Sequence, residues 1–196
     1  MPIASRGFAS ALGNDLMIYC FSGADFSSAL SNCYKYNVTL NTWTPIANIP
    51  TPVWESGAAT APNGDIIVFG GESSMNLTQI YHPLTDTWTS GAVVPVPVRM
   101  PGVVIAPDGK IYVVGGFNGS NAIGNVQIYD PIANSWTTGT GMTTPRNQFG
   151  CAIQCVSIYT IGGKTSGSNN ASPFFNTVEI YNTVTNSWST GTVLPV

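Results

Sequence analysis

The chain has 196 residues, of which 43% are hydrophobic, with 21 glycines and 14 prolines. This composition is typical of a turn-rich β protein with a buried core and excludes a disordered chain or a long helical bundle. Only 8% of the residues are charged and the net charge is −3, so the six scattered cations form no basic stripe for nucleic acid. The apolar runs are also far shorter than the roughly 20 residues that a helical membrane span needs.

Four successive segments each begin with an apolar run that ends in two small residues. In chain order these runs are residues 17–23, 66–71, 111–116 and 158–163. The second and third runs follow the turn sequences Pro-Asn-Gly and Pro-Asp-Gly, and the first follows the weaker Gly-Asn-Asp. Asn-Gly and Asp-Gly supply the positive φ angles of a tight hairpin. We therefore predict that each segment opens with a β-hairpin.

A tyrosine follows each hairpin, and a tryptophan lies seven positions after it. The pairs are Tyr36 and Trp43, Tyr81 and Trp88, Tyr129 and Trp136, and Tyr181 and Trp188. The residues before each tyrosine alternate between polar and apolar, as in a half-buried third strand, and the tryptophan begins a fourth strand. The tryptophans recur about every 45 to 52 residues, and four short strands at such a period indicate a propeller blade.

The Gly-Gly doublets, the Tyr129-Asp130-Pro131 motif and the tyrosine–tryptophan spacing together resemble the kelch repeat family over essentially the whole chain. The first copy departs most, because Ser22-Gly23 replaces its doublet. The resemblance implies an all-β fold of β-propeller blades, each with four antiparallel strands. We expect a single kelch region over residues 1–196, with four kelch-type blades at approximately 1–48, 49–93, 94–141 and 142–196.

Family resemblance also implies rings of six or seven blades. Four copies with no spare strand at either end favour an arc of a larger propeller or array. A self-closed ring of four blades and an arc completed by another chain are the alternatives. Met1 aligns with the start of an inter-blade linker, so it is either an internal methionine of a longer chain or an ordinary initiator.

The four cysteines form two local pairs, Cys20 with Cys33 and Cys151 with Cys155. The first pair is expected on adjacent antiparallel strands, at a disulfide-compatible distance. The second pair flanks three residues where other copies have a hairpin turn. We predict two disulfides, with four free thiols as the alternative. An even number of cysteines at local spacings favours an oxidising compartment.

Four sequons for N-linked glycosylation are present, and the last three fall in the loop after the Gly-Gly doublet. They are Asn37, Asn76, Asn118 and Asn170. Chance alone would give nearly as many, so their number carries no weight. Together with the cysteines and the scarcity of charge, they lead us to expect an extracellular or cell-surface protein, with a cytosolic adaptor as the alternative.

No catalytic residue, cofactor or metal site is predicted. The single histidine, His82, occupies the place of Asp130 and Asn182 in sister copies, which indicates a turn residue. Copper-radical oxidases built on kelch blades need two histidines, so one histidine does not supply their copper site. Neither cysteine pair has a histidine or carboxylate close in sequence that would complete a metal site.

The resemblance implies that the linker before each blade and the loop after each doublet emerge on one face. In the peptide-binding members of the family, arginines at the start of the innermost strand line a central cup. Aromatic residues beside arginines are typical anchors of interfaces. The predicted binding residues are Arg6, Trp54, Glu55, Arg99, Arg146, Phe117, Phe174 and Phe175, with Asp25, Phe26 and Glu72 in the same loops. The alternative is that the arginines bind backbone between blades.

Three functions remain open from the sequence. The first is a non-catalytic recognition module for a protein or a glycan, which uses this loop face. The second is a structural subunit of an extracellular fibre or surface assembly that self-assembles through edge strands. The third is a piece of a larger kelch-containing oxidase whose active site lies elsewhere.

Overall fold

The computed structural model describes residues 1–165 and 174–195, and within these ranges the chain forms sixteen β-strands and no helix. The strands build four separate antiparallel sheets of four strands each, in simple up-and-down order. The all-β class and the four blades of four antiparallel strands are therefore confirmed. Among the described residues no helix is long and apolar enough to cross a membrane.

Each sheet is one propeller-type blade, with its four strands hydrogen-bonded in chain order from one edge to the other. The first blade contains β1 Ala9–Leu12, β2 Ile18–Phe21, β3 Cys33–Asn37 and β4 Thr42–Ile46. The second contains β5 Gly57–Thr60, β6 Ile66–Phe69, β7 Thr78–His82 and β8 Thr87–Ser90. The third contains β9 Gly102–Ile105, β10 Ile111–Val114, β11 Val126–Asp130 and β12 Ser135–Gly139. The fourth contains β13 Gly150–Gln154, β14 Ser157–Ile161, β15 Val178–Asn182 and β16 Ser187–Thr190.

The chain divides into two compact units of two blades each. The N-terminal unit is Met1–Val94 and the C-terminal unit is Pro95–Val196. In the N-terminal unit the core lies between the two blades and includes Tyr19, Phe21, Val68 and Tyr81. The C-terminal unit has an equivalent core, in which Tyr112 and Tyr181 pack with ring centroids 6.1 Å apart.

The tyrosine–tryptophan repeat is explained by a hydrogen-bonded turn. In the second blade Tyr81 and Trp88 are cross-strand partners with ring centroids 5.1 Å apart. The Tyr81 hydroxyl donates to Asp86 Oδ1 at 2.7 Å, and Asp86 has a φ of 53°. Asn and Asp adopt positive φ more readily than other non-glycine residues. Asn41, Asn134 and Asn186 take the same place in the other blades, each accepting a hydrogen bond from its tyrosine.

The same turn also joins blades within each unit. Asp86 Oδ1 accepts a second hydrogen bond, from Ala47 N at 2.8 Å, and Trp88 Nε1 donates to Ala47 O at 2.9 Å. In the C-terminal unit Asn186 and Trp188 bind the backbone of Thr140 in the same way, at 2.6 and 2.8 Å. The repeated residues are therefore committed to building blades and to holding neighbouring blades together.

The predicted disulfide between Cys20 and Cys33 is wrong, because both residues are buried free thiols. In the β2–β3 ladder Cys20 lies opposite Tyr34, while Cys33 lies opposite Phe21. Adjacent residues of a strand point to opposite faces, so the two sulfurs are on opposite faces of the sheet. Burial raises the pKa of the Cys33 thiol to about 11.

The predicted disulfide between Cys151 and Cys155 is also wrong, and both thiols are free. Residues 152–154 continue strand β13, and the hairpin turn falls on Cys155 and Val156, with Cys155 at a φ of 52°. Four residues of extended chain separate the two Cα atoms by roughly 13 Å. A disulfide requires Cα atoms about 4.4 to 6.8 Å apart.

Candidate functional site

The end of each blade that carries the predicted binding residues is built from two short segments. An isolated bridge joins the linker before the blade to the residue after the small doublet. The bridges are Arg6 with Ala24, Trp54 with Glu72, Arg99 with Phe117, and Asn147 with Lys164. We call this end the loop face of each unit. The second residue of the small doublet has to be glycine in the second blade. A Cβ on Gly71, whose φ is +103°, would lie too close to the Trp54 carbonyl oxygen, at 2.9 Å.

On the loop face of the N-terminal unit, a cation stacks on an aromatic ring beside an exposed aromatic side chain. The Arg6 guanidinium carbon lies 4.9 Å from the centroid of the Trp54 ring. Arg6 is exposed and Trp54 is half-buried. Phe26 is fully exposed to solvent. Two shallow grooves, of about 300 and 240 Å³, border Arg6, Asp25 and Phe26.

The turn that presents Phe26 is fixed by Asp25. The Asp25 carboxylate accepts hydrogen bonds from Ser27 N at 2.7 Å, Ser28 N at 2.8 Å and Ser27 Oγ at 2.9 Å. These backbone and hydroxyl donors lower the pKa of Asp25 below its usual value. The Asp25 carboxylate is thus hydrogen-bonded within its own turn.

Glu55 lies in the linker next to Trp54, where its backbone serves the fold. Its φ is 58°, and its amide donates to Gly7 O at 2.6 Å. This hydrogen bond joins the linkers of the first and second blades. Glu55 is half-buried there, and it borders neither of the two grooves beside Phe26.

On the loop face of the C-terminal unit, the predicted aromatic residues differ in exposure. Arg99 stacks over Phe117 at 4.9 Å, but the Phe117 ring is buried. Phe175 is half-buried and lies 5.0 Å from the Arg146 guanidinium carbon. Phe174 is the exposed member, with 66% of its surface accessible. Arg99 and Phe117 therefore form a mainly internal pair, unlike Arg6 and Trp54.

The prediction that Arg146 lies on the binding surface is wrong, because its side chain is fully buried. Its guanidinium donates to Gly162 O at 2.8 Å, Thr177 O at 3.1 Å and Glu179 Oε2 at 2.6 Å. All three acceptors belong to the fourth blade. Arg146 therefore bonds within its own blade, and not to backbone between blades as the alternative interpretation stated.

The error is a shift of one residue. Asn147, which forms the bridge to Lys164, is the true counterpart of Arg6 and Arg99. Arg146 stands where the second and third blades have Val53 and Val98, both with no exposed surface. Counting back from the glycine that begins strands β5, β9 and β13 reveals this register, and that signal is present in the sequence.

Three of the four predicted sequon asparagines are among the described residues, and they lie at the surface or next to it. Asn76 is exposed, and the amide oxygen of exposed Asn118 accepts from Ser120 N and Asn121 N. The amide oxygen of half-buried Asn37 accepts from Leu40 N at 2.9 Å. Asn170 lies outside the described residues. Glycosylation of these asparagines stays a prediction.

At the opposite end of the N-terminal unit, His82 is the last residue of β7 and bridges two side chains. Its Nδ1 lies 2.7 Å from Asp65 Oδ1 and its Nε2 lies 2.8 Å from Thr89 Oγ1. It therefore ties the β5–β6 turn to strand β8. The part of the chain that the structure describes contains no cluster of three or more His, Cys, Asp or Glu side chains able to hold a metal ion.

The four-stranded blades and their repeated turn define a protein built from propeller blades. A family model described as the KLHDC2/KLHL20/DRC7 Kelch-repeats domain matches residues 9–193, and the chain belongs to the kelch repeat family. No curated protein matches the chain.

Solved structures show the same fold at low sequence identity. A structure titled "Structure of YjhT" has a TM-score of 0.81 and 17% identity, over 99% of this chain and 67% of that one. A fungal alcohol oxidase of the AA5 family, in complex with copper, has a TM-score of 0.63 and 15% identity over 97% of this chain. The chain spans 54% of that oxidase. These likenesses concern the fold alone.

Proposed function

We propose that the protein is a non-catalytic interaction module that binds a protein partner through the loop face of its N-terminal unit. The observation that carries this proposal is Phe26, fully exposed beside the Arg6–Trp54 stack. Aromatic residues and arginine dominate the energetic centres of protein interfaces. Kelch-repeat domains are generally interaction modules, so membership of the family agrees with this role.

The geometry of the surface favours a protein over a glycan at this face. Phe26 projects outward from a turn held by Asp25, and a projecting aromatic ring needs an apolar pocket in its partner. Arg6 is oriented by its stacking on Trp54, and its planar guanidinium suits a carboxylate. The partner is therefore expected to combine an apolar pocket or side chain with an acidic residue. The charge pair would confer specificity and the buried ring would confer affinity.

The proposal is tested with a random peptide library displayed on phage and selected on the immobilised wild-type chain. Selected peptides are then titrated against wild type, Phe26→Ala, Arg6→Ala and the control Leu40→Ala. Leu40 is 68% exposed in the same unit, in the β3–β4 turn at its opposite end. Truncation of an interface anchor costs about 2 kcal/mol, or roughly 30-fold in Kd. We expect losses of this size for Phe26→Ala and Arg6→Ala and none for Leu40→Ala.

Two outcomes would contradict the proposal. Peptides that bind both loop-face variants as tightly as wild type would show that the partner surface lies elsewhere. A molecular mass that rises with protein concentration in analytical ultracentrifugation, and that Phe26→Ala leaves unchanged, would instead favour self-assembly through other parts of the blades.

A further inference from the structure

The N-terminal unit contains a cavity of about 420 Å³ between the hairpin turns of its two blades, at the end opposite the loop face. Its walls come from three turns, through Asn14 and Asp15, Asn63 to Asp65, and His82 to Thr85. The Thr60 hydroxyl donates to Leu12 O at 2.8 Å and links two of these turns. Sites for small molecules typically enclose about 300 to 1,000 Å³. We call this space the turn cavity.

The turn cavity contains two carboxylates whose orientations are fixed. Asp15 accepts from the Tyr19 hydroxyl at 2.8 Å and from Met17 N at 3.1 Å. Asp65 accepts from Asn63 Nδ2 at 2.7 Å, and its other oxygen lies 2.7 Å from His82. A carboxylate has about four acceptor positions, so each retains capacity for a ligand. Because both carboxylates are already held in place by hydrogen bonds, their side chains lose little conformational entropy when a ligand binds.

Two side chains that donate hydrogen bonds, those of Lys35 and Asn14, complete the lining of the turn cavity. Lys35 is the cross-strand partner of Tyr19 and lines the turn cavity, and Asn14 lines it from the β1–β2 turn. Within residues 1–165 and 174–195, neither side chain takes part in a hydrogen bond or an ion pair with another residue. An ammonium group offers three donors and an amide offers two. Both side chains are therefore available to a ligand.

We propose that the turn cavity binds a neutral polyhydroxy compound, namely a saccharide. A hydroxyl group both donates and accepts, which matches carboxylates and an ammonium group in one site. A simple cation would be repelled by Lys35, and a simple anion would be repelled by Asp15 and Asp65. Pro83 and Leu84 at the same cavity offer apolar surface for the C–H groups of a sugar ring.

Blade construction does not account for Lys35. The aspartate of the turn, in contrast, recurs in the C-terminal unit. Asp108 precedes Tyr112 by four residues, as Asp15 precedes Tyr19, and it accepts a hydrogen bond from Lys110 N at 3.1 Å. The Asp–Tyr turn is thus a repeated structural feature. Lys35 directly precedes the repeated tyrosine of the first blade. The equivalent residue of the third blade is Ile128. Lys35 is therefore not part of the repeated blade pattern, and it lines the turn cavity.

The test uses saturation-transfer NMR on the whole chain with methyl α-glucoside, methyl β-galactoside, methyl α-mannoside and N-acetylglucosamine. Arginine and glutamate serve as the cationic and anionic probes. Any saccharide that receives saturation is then titrated against wild type, Lys35→Met, Asn14→Ala and the control Lys110→Met. Since neither Lys35 nor Asn14 bonds to another side chain, both variants are expected to fold.

We expect at least one saccharide to bind, with affinity reduced about tenfold by Lys35→Met, since a hydrogen bond to a charged group is lost. Asn14→Ala is expected to weaken binding by a smaller factor and Lys110→Met to leave it unchanged. The proposal is overturned if no saccharide receives saturation, or if Lys35→Met and Asn14→Ala both bind like wild type. Saturation of arginine or glutamate in place of the saccharides overturns it as well.

Discussion

The buried Arg146–Glu179 pair gives the most demanding prediction, because it tests a structural role against a binding role. The Arg146 side chain has no exposed surface and that of Glu179 has 5%. Removing one member of such a pair leaves an uncompensated buried charge and costs about 3 to 5 kcal/mol. We therefore expect Arg146→Met to lower the free energy of unfolding by about this amount.

The second and third blades show how the stability lost in Arg146→Met can be recovered. At the position of Glu179 they have Gln79 and Gln127, whose amides bond to the linker backbone at Thr51 and Val96. Replacing Glu179 by Gln in the Arg146→Met background removes the buried charge and allows this arrangement. We expect the double variant to recover about 2 kcal/mol of the loss, although Gly162 O and Thr177 O still lack the donor that Arg146 supplied.

The assay is a double-mutant cycle from urea denaturation monitored by tryptophan fluorescence, with Lys110→Met as a surface control. Residues in direct contact show interaction energies of about 0.5 to 3 kcal/mol. Additive single effects, or a cost below about 1 kcal/mol for Arg146→Met, would refute the structural role. Arg146 would then return to the set of candidate binding residues.

Two further predictions concern the repeated turn and the cysteines. Asp86→Ala is expected to lower the free energy of unfolding by about 2 to 3 kcal/mol in urea denaturation, because it removes the acceptor of both the Tyr81 hydroxyl and Ala47 N. Asp86→Asn introduces the residue that the other copies have and keeps an acceptor, so it should lower it by less than about 1 kcal/mol. Equal costs for the two variants would show that the hydrogen bonds do not matter. Ellman's reagent is expected to find four thiols in the unfolded chain and to react first with exposed Cys155 in the native one, while Cys33 stays slow because burial raises its pKa to about 11. Fewer than four thiols in unreduced, denatured protein would restore the disulfide prediction.

The fold was predictable because the repeated residues carry their own structural reasons. Tyr81, Asp86 and Trp88 form one hydrogen-bonded turn, so the same spacing in four copies indicates four identical turns. The Asn-Gly, Asp-Gly and Gly-Asn-Asp signals likewise lie where the structure turns. The positive φ itself falls on Leu16 in the first hairpin and on Cys155 in the fourth, and neither is one of the usual Asn, Asp or Gly residues. Local chemistry of this kind is visible in sequence because donor and acceptor are only a few residues apart.

The site was harder to predict, because register and burial depend on residues far apart in the chain. Arg146 and Arg99 are the same residue type in similar linkers, yet the side chain of Arg146 is enclosed by Gly162, Thr177 and Glu179. Cys20 and Cys33 have a suitable spacing, but a one-residue offset in the β2–β3 ladder puts them on opposite faces. The turn cavity has no sequence signal, since its lining comes from three turns that extend from Asn14 to Thr85 in the chain.

Arg6 and Arg146 both lie in the segment before a blade, but Arg6 is exposed and Arg146 is fully buried. Both arginines pack on an aromatic ring, at 4.9 and 5.0 Å, so stacking alone does not distinguish them. The difference lies in the acceptor: Arg146 has the buried carboxylate of Glu179, whereas the Asp25 carboxylate in the loop beside Arg6 is bonded to its own turn. Among the described residues no ion pair joins Arg6 to a carboxylate. Under the proposed function, the acidic group that Arg6 binds is therefore expected to come from the partner.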